Sequence, residues 1–188
     1  GAPFDLFLSA DRETVDLLVK EGLARPDGRL SYGVGQLTVW SPRDQTPPAL
    51  IKSAIETGKF KIIAMANPTT SPYGRAGSQL LQRLHTPDGL VALQKAGRVV
   101  TGENVAQAFQ FAHTGNADLA VVALSQVIDL GKGSYWLVPS EWYGPLIQDA
   151  VVLGKSPRLE NARGFLAFLR SPEIVSLIEG GGYKNGSQ

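Results

Sequence analysis

The sequence lacks cysteine altogether, and this absence excludes disulfide bonds and thiolate metal sites. Histidine is scarce: His85 and His113 stand alone without the spacing of metal ligands, so packing or surface roles are predicted for both. Apolar runs such as residues 119–124 are too short to cross a bilayer. The charges nearly cancel, with 18 basic and 17 acidic side chains. We predict no nucleic-acid partner, because such proteins normally carry a basic face.

Motifs that mark common enzyme classes are missing as well. The sequence has no Gly-x-Ser-x-Gly elbow of a hydrolase and no phosphate-binding loop of the Gly-x-x-x-x-Gly-Lys-Ser/Thr type. Gly33-Val34-Gly35 lacks the third glycine of a dinucleotide fingerprint. No pairing of a nucleophile with a base is evident. We therefore predict that the protein is not an enzyme, needs no cofactor and binds no metal as a cation.

What the 188 residues do contain is an alternation of strand and helix patterns. Strands are predicted at residues 4–8, 30–40, 61–66, 98–101, 119–124, 135–138 and 147–153, and helices at 11–22, 73–84, 90–95 and 104–114, with two more beginning at Ser156-Pro157 and Ser171-Pro172. Residues 41–48, rich in proline, are predicted to form a loop. This order predicts an α/β fold with mostly parallel sheet.

The first candidate for chemistry is the segment 67–77, which joins a strand to a helix. Pro72 suits the first helical turn, and the amides that follow, beginning with Tyr73, would point out of the helix end. Such an end carries roughly half a positive charge and suits an oxyanion. The same residues also fit an ordinary strand-to-helix turn, and composition alone favours that simpler interpretation.

The second candidate is the segment 101–105, again between a strand and a helix. Thr101 or Asn104 can cap the helix, and the amide of Val105 lies in its first turn. Every helix needs a start, so capping alone explains these residues too. Two such starts in one series of alternating strands and helices favour a shared crevice, because the ends of parallel strands face the same side.

Several short segments stand out in order along the chain: residues 1–11 (GAPFDLFLSAD), 35–41 (GQLTVWS), 67–68 (NP), 72–77 (PYGRAG), 103–105 (ENV), 115–119 (GNADL), 165–173 (FLAFLRSPE) and 182–183 (GY). Together they resemble the periplasmic molybdate-binding proteins of ABC importers. The resemblance spans essentially the whole chain. No single motif is decisive, but this many in the right order are quite specific.

The resemblance implies a two-lobed type II periplasmic-binding-protein fold, with residues 1–40 and 143–188 in a first lobe and 41–142 in a second. It also implies a tetrahedral dianion held between the lobes by backbone amides and hydroxyls. The second-lobe amides of that site correspond to Tyr73 and Val105. Some relatives use a tyrosine hydroxyl from the strand that here carries Ala123. A hydroxyl contact is therefore expected from Tyr73 itself.

The expected function is extracytoplasmic capture of molybdate or tungstate and delivery to the permease of an ABC importer, in the periplasm or associated with the membrane. Family members begin with a strand and helix stretch that precedes the equivalent of Gly1, so the first lobe is expected to be incomplete. Missing strands would expose sheet edges and favour a homodimer or a swapped assembly. Two alternatives remain open at this stage: a receptor for another oxyanion such as sulfate or phosphate, and the ligand-sensing domain of a transcription regulator.

Overall fold

The structure, a computed structural model, describes residues 3–186, and the chain divides into two compact units. Unit 1 contains the chain up to Gly35 and from Leu146 onward, and unit 2 contains Gln36–Pro145. The main chain therefore passes between the units twice.

The boundaries differ from the predicted lobes at both crossings. Residues 36–40 and 143–145, assigned to the first lobe from the sequence, belong to unit 2. The reason is pairing: Leu37–Ser41 forms a strand of the unit 2 sheet, and the Leu37 amide donates to the Tyr143 hydroxyl at 3.1 Å. Residues 1, 2, 187 and 188 of the predicted first lobe lie outside the described residues.

Unit 1 is built on a four-stranded sheet in the order β1-β8-β2-β9. Its strands are β1 (Leu6–Ser9), β2 (Ala24–Gly35), β8 (Leu146–Leu153) and β9 (Tyr183–Lys184), and its helices are α1 (Arg12–Lys20), α6 (Leu159–Leu169) and α7 (Pro172–Gly180). All three strand pairs in this sheet are antiparallel.

The central strand β8 is buried on both faces because its side chains alternate. Ala150 and Val152 pack towards α6, whereas Val151 packs with Val15 of α1. Helices on both faces therefore remove this strand from water.

Unit 2 is built on a five-stranded sheet in the order β5-β4-β6-β3-β7. Its strands are β3 (Leu37–Ser41), β4 (Ile63–Ala66), β5 (Val99–Gly102), β6 (Leu119–Ala123) and β7 (Ser134–Leu137), and its helices are α2 (Pro48–Glu56), α3 (Pro72–Leu84), α4 (Pro87–Lys95) and α5 (Val105–His113). Strand β4 pairs in parallel with β5 and β6, and β3 pairs antiparallel with β6 and β7.

Small side chains let α5 lie close to one face of this sheet. Ala108 and Ala112 of the helix and Ala64 and Ala120 of the strands are fully buried in one cluster, with Trp40. On α3, Gly77 plays a similar part, since a Cβ built there would come within 3.1 Å of the Val121 side chain. Helix and sheet backbones thus approach one another closely at both helices.

The α/β fold is confirmed, but three details of the prediction need correction. The unit 1 sheet is antiparallel and the unit 2 sheet is mixed, and within the described residues only the two pairs made by β4 are parallel. The predicted strand 30–40 is two strands, because β2 pairs with β8 in unit 1 and β3 with β6 in unit 2. Helix α2 was not predicted, since the prolines that mark its start also mark loops.

Of the two helices at the end of the chain, only the second begins at the serine–proline pair predicted from the sequence. α6 starts at Leu159, two residues beyond Pro157, whereas α7 starts at Pro172 directly after Ser171.

No helix within residues 3–186 has the length and apolar character needed to cross a membrane.

A buried carboxylate, Asp149, anchors the unit 1 sheet. It lies on β8 with its side chain fully excluded from solvent, and it accepts hydrogen bonds from Arg29 at 2.5 and 2.8 Å and from the Ser31 hydroxyl at 2.6 Å. Partial burial acts to lower the pKa of the Arg29 guanidinium, but hydrogen bonds to Asp149 and Asp16 raise this pKa overall. The buried charge is thereby compensated.

We predict that Arg29→Ala lowers the free energy of unfolding by about 3–5 kcal/mol, because it removes the hydrogen-bonded cation of a buried carboxylate and leaves only the more distant Arg12, at 3.7 Å. Urea denaturation followed by circular dichroism measures the change. The control is Arg163→Ala, which removes an arginine from an exposed pair with Asp27 (2.6 Å) and should cost about 0–1 kcal/mol. Equal effects of the two substitutions would contradict this role of Asp149.

Candidate functional site

The candidate site lies at the carboxyl ends of three neighbouring strands of unit 2. β4 pairs in parallel with both β5 and β6, with Ala66 opposite Gly102. The three strands therefore end at the same edge of the sheet. There they lead into α3, α5 and a short 3-10 turn at Leu124–Gln126. Ligands of parallel sheets bind at such edges.

Helix α3 begins at this edge with a side-chain cap and a proline. The Ser71 hydroxyl accepts a hydrogen bond from the Gly74 amide at 3.3 Å, and Pro72 occupies the first helical position. Tyr73 follows at the second position, where backbone amides point outward along the axis. A helix of 13 residues places the positive end of its dipole here.

Glycine at position 74 allows the start of α3 to contact the end of β4. A Cβ built on Gly74 would lie 2.3 Å from the Asn67 carbonyl oxygen and 2.7 Å from that of Ala66. Any other residue would push the helix away from the strand. The position of the Tyr73 amide at the sheet edge therefore depends on Gly74.

The loop before α3 is held by its own hydrogen bonds. The Asn67 side chain accepts from the Thr69 amide at 2.9 Å, and the Asn67 carbonyl accepts from the Ser71 amide at 3.0 Å. The hydrogen bond from the Thr69 amide to the Asn67 side chain closes the local turn that asparagine favours.

Helix α5 begins beside it with reciprocal caps. The Asn104 side chain accepts from the Gln107 amide at 2.9 Å, and the Gln107 side chain accepts from the Glu103 amide at 2.6 Å. Val105 is the first helical residue, directly after the cap. Its amide belongs to the first turn, for which the helix has no carbonyl partners.

Direct contacts join the loops that lead into these two helices and the turn after β6. The Asn67 amide donates to the Gly102 carbonyl at 2.7 Å, and the Thr70 hydroxyl donates to the Glu103 carbonyl at 3.5 Å. The Gln126 side chain donates to the Val105 carbonyl at 3.5 Å. The structure thus brings the segments of Tyr73 and Val105 to one edge. Their role as ligands stays a prediction.

Two side chains at this edge were not singled out from the sequence. Thr70 lies inside the segment 67–77, but nothing in its spacing distinguishes it from Thr69 or Ser71. Gln126 follows β6, and only the packing of the turn against α5 brings it to Val105. Ala123, the strand position where the family resemblance implies a tyrosine in some relatives, is the buried last residue of β6.

The site offers backbone amides and hydroxyls rather than metal ligands. Within the described residues, no group of three His, Asp or Glu side chains lies close enough to hold a metal ion. His113 stacks on Phe109 with ring centroids 5.1 Å apart. Burial lowers the pKa of His85, and the charge of Arg98 lowers it further. Donors at the positive ends of helices suit an anion.

Several acidic and aromatic side chains outside this site have structural contacts. Asp11 caps α1 by accepting from the Thr14 amide at 2.7 Å, and Asp5 forms an ion pair with Arg158 at 3.1 Å. Trp136 and Trp142 contact each other edge to face at 5.7 Å. These contacts account for the side chains without a ligand.

Comparison with known proteins identifies a family and several relatives. Residues 1–184 match the family described as bacterial extracellular solute-binding protein. The chain is 42% identical over 190 residues to the molybdate-binding protein ModA of Azotobacter vinelandii, covering 97% of this chain and 71% of that protein. It is 39% identical over 185 residues to the molybdate-binding protein ModA of Rhodobacter capsulatus, covering 97% and 70%.

Solved structures agree with the sequence matches. The periplasmic molybdate-binding protein of Azotobacter vinelandii superposes with a TM-score of 0.86 at 33% identity, covering 97% of this chain and 79% of that chain. The substrate-binding domain of a putative molybdenum ABC transporter from Clostridium difficile gives a TM-score of 0.76 at 25% identity, covering 98% and 78%.

We predict that Gly74→Ala destabilises the protein by about 1–3 kcal/mol, the usual cost of forcing an extra methyl group into a packed site. The measurement is thermal or urea denaturation. Gly164→Ala is the matched control, because a Cβ on this α6 glycine meets nothing within 4 Å. The control is expected to be neutral or to stabilise by about 0.5–1 kcal/mol, the gain in helix propensity. A neutral Gly74→Ala would mean that the start of α3 does not depend on this contact.

Proposed function

This chain belongs to the bacterial extracellular solute-binding proteins, and from that premise we propose that it captures molybdate or tungstate and delivers the anion to the permease of an ABC importer. Family membership places its work outside the cytoplasm, and the periplasm is the compartment we propose. The family binds and transports solutes and has no enzymatic role. The choice of anion is supported by two relatives, 39% and 42% identical, both of which are named as molybdate-binding proteins.

The observation that carries the proposal is the pair of helix starts at one sheet edge. A tetrahedral dianion needs several donors and little net charge from side chains. The amides of Tyr73 and Val105, at the positive ends of α3 and α5, supply donors whose partial charges are fixed by the backbone. Each hydrogen bond to a charged group is worth about 1.5–3 kcal/mol.

Tyr73 is proposed to contribute twice, through its amide and through its hydroxyl. Ala123 carries no hydroxyl at the end of β6, so the donor used by some relatives from that strand is missing here. Tyr73 lies one residue after Pro72, at the same helix start as the proposed amide. The phenol O–H of this residue can donate to an anion oxygen at neutral pH.

Selectivity favours molybdate and tungstate over smaller oxyanions on the strength of the close relatives. The sulfate-binding protein SubI from Mycobacterium tuberculosis has the same fold with a TM-score of 0.68, but at 16% identity that likeness speaks only for the fold. Discrimination between oxyanions comes from cavity size and from the donors that converge on it.

We predict that Val105→Pro weakens molybdate binding roughly 10- to 150-fold, corresponding to one charge-assisted hydrogen bond of about 1.5–3 kcal/mol. Proline removes the amide hydrogen while remaining compatible with the first position of a helix. The extended backbone of Asn104 (φ −144°, ψ 175°) also accommodates a following proline. Isothermal titration calorimetry measures the affinity, with sulfate and phosphate as competitors.

Val105→Ala is the matched control, because it shortens the side chain and retains the amide. Its affinity should stay close to that of the unmutated protein. Tyr73→Phe separates the second donor, since it keeps the amide and removes the hydroxyl, and a comparable 10- to 150-fold loss is expected. Unchanged molybdate affinity in Val105→Pro would overturn the proposed site. Competition by sulfate as strong as that by tungstate would overturn the proposed ligand.

Self-association is part of the proposal. Strand β1 lies at an edge of the unit 1 sheet, and an open edge offers backbone groups to a second strand. Leu8 of this strand is 46% exposed, and Phe4, just before the strand, is 67% exposed. A second copy of the chain would cover both features.

Sedimentation velocity over a range of protein concentrations is expected to detect a dimer whose fraction rises with concentration. Leu8→Lys places a charge on the edge strand and should shift the equilibrium to monomer. Leu177→Lys is the control, since Leu177 is 65% exposed on α7, away from β1. A single monomeric species at all concentrations would refute dimerisation through this edge.

A further inference from the structure

A cavity of about 510 Å³ opens at the amino-terminal end of β4, the end opposite the start of α3. It is lined by residues of α2, by the loop from Ser41 to Thr46, by Gly58–Lys61 and by the beginning of β6. Its volume falls within the range of small-molecule sites. The proposed oxyanion donors lie at the other edge of the same sheet, so this cavity is not part of that site.

The charge lining this cavity is positive. Arg43, Lys59 and Lys61 all border it. The single carboxylate among its described lining residues, Asp118, accepts hydrogen bonds from the amides of Lys61 at 2.7 Å and Ile62 at 3.0 Å. Three cations and one acid therefore border the cavity, and that acid is already engaged by the backbone, in a chain whose net charge is only +1. The neighbouring Asp44 is outside the lining and accepts from the Gly133 amide.

Apolar side chains form the rest of the lining. Ile51, Phe60 and Leu119 are buried beneath the cavity, and Leu50 of α2 is 60% exposed at its wall. A merely solvated cluster of cations needs no such apolar surface. The combination suits a ligand with a negative head and an apolar body.

The wall that carries Lys59, Phe60 and Lys61 is held from two sides. Arg98 donates hydrogen bonds to the carbonyls of Gly58 at 2.6 Å, of Phe60, and of Lys61 at 3.3 Å. Its guanidinium carbon also lies 4.9 Å from the centre of the Phe60 ring. Asp118 holds the amides of the same loop. A wall fixed before binding loses little conformational entropy when a ligand arrives.

The opposite wall is also constrained. The Thr46 amide donates to the Ser134 hydroxyl at 2.9 Å, and the Asp44 carboxylate accepts from the Gly133 amide at 2.5 Å. Between them, Gln45 has a φ of 56°, the only positive φ among the described non-glycine residues. Backbone strain of this kind persists only where surrounding contacts enforce it, and it is concentrated at binding sites.

From these features we propose that the cavity binds a small amphipathic organic anion, with its carboxylate or equivalent acidic head at Arg43, Lys59 and Lys61 and its apolar body against Leu50 and Phe60. This site is separate from the proposed oxyanion site and does not depend on it.

Hexanoate is the probe, observed by ¹H–¹⁵N correlation NMR of the whole chain. Addition of hexanoate is expected to shift the amides of residues 43–46, 50–51 and 59–61 in a saturable manner. Hexanol matches the apolar body without the charge, and inorganic phosphate matches the charge without the body. Both are expected to bind at least fivefold more weakly than hexanoate.

The substitution pair Lys59→Gln and Lys61→Gln should weaken hexanoate binding roughly fivefold to twentyfold, since exposed ion pairs contribute up to about fivefold each. Leu50→Asn removes the exposed apolar wall and is expected to reduce affinity without unfolding the protein. The control pair Lys20→Gln and Lys95→Gln makes the same change of charge at exposed positions outside the cavity and should leave binding unchanged.

Three results would overturn the proposal: no saturable shift with hexanoate, equal binding of hexanol or phosphate, or equal loss in the control pair. Molybdate titration of the Lys59→Gln and Lys61→Gln variant keeps the two sites apart. Its molybdate affinity is expected to match that of the unmutated protein, whichever way the hexanoate result falls.

Discussion

The parallel pairing of β4 with β5 and β6 is the constraint on which the rest of unit 2 depends. Parallel neighbours must end at the same edge of a sheet, so the helices that follow β4 and β5 begin side by side. Each helix brings a partial positive charge and first-turn amides to that edge. Had β4 and β5 been antiparallel, α3 and α5 would start at opposite ends of the sheet, and their two dipoles would not reinforce each other.

Close packing converts that topology into a defined site. Gly74 lets α3 begin against the carbonyls of Ala66 and Asn67, and a Cβ on Gly102 would lie 2.9 Å from the Gln107 side chain in the first turn of α5. Small residues at these points set the height of each helix start above the strand end. The opposite end of the sheet has another chemistry, with cations and apolar side chains around a cavity. One sheet thus carries both of the anion sites that we propose.

Much of the fold and of the candidate site was predictable because the signals are local. Pro72 marked the start of α3, Asn104 was one of two residues that marked that of α5, and the apolar run at 119–124 marked β6. The errors have equally physical causes. The prolines at the start of α2 resembled a loop, and the glycines after Leu30 concealed a change from one sheet to another between Gly35 and Leu37.

The sequence by itself determined where α3 and α5 begin and the family that the chain resembles, because these depend on residues adjacent in the chain or on motifs in order. Only the tertiary structure decided which strands are neighbours and in which direction they run, as in the antiparallel sheet of unit 1. It alone showed that Asp149 is buried against Arg29, 120 residues away in sequence, and that Thr70 reaches Glu103. Such contacts arise when the chain packs in three dimensions, and the spacing of residues along the sequence does not indicate which distant residues will meet.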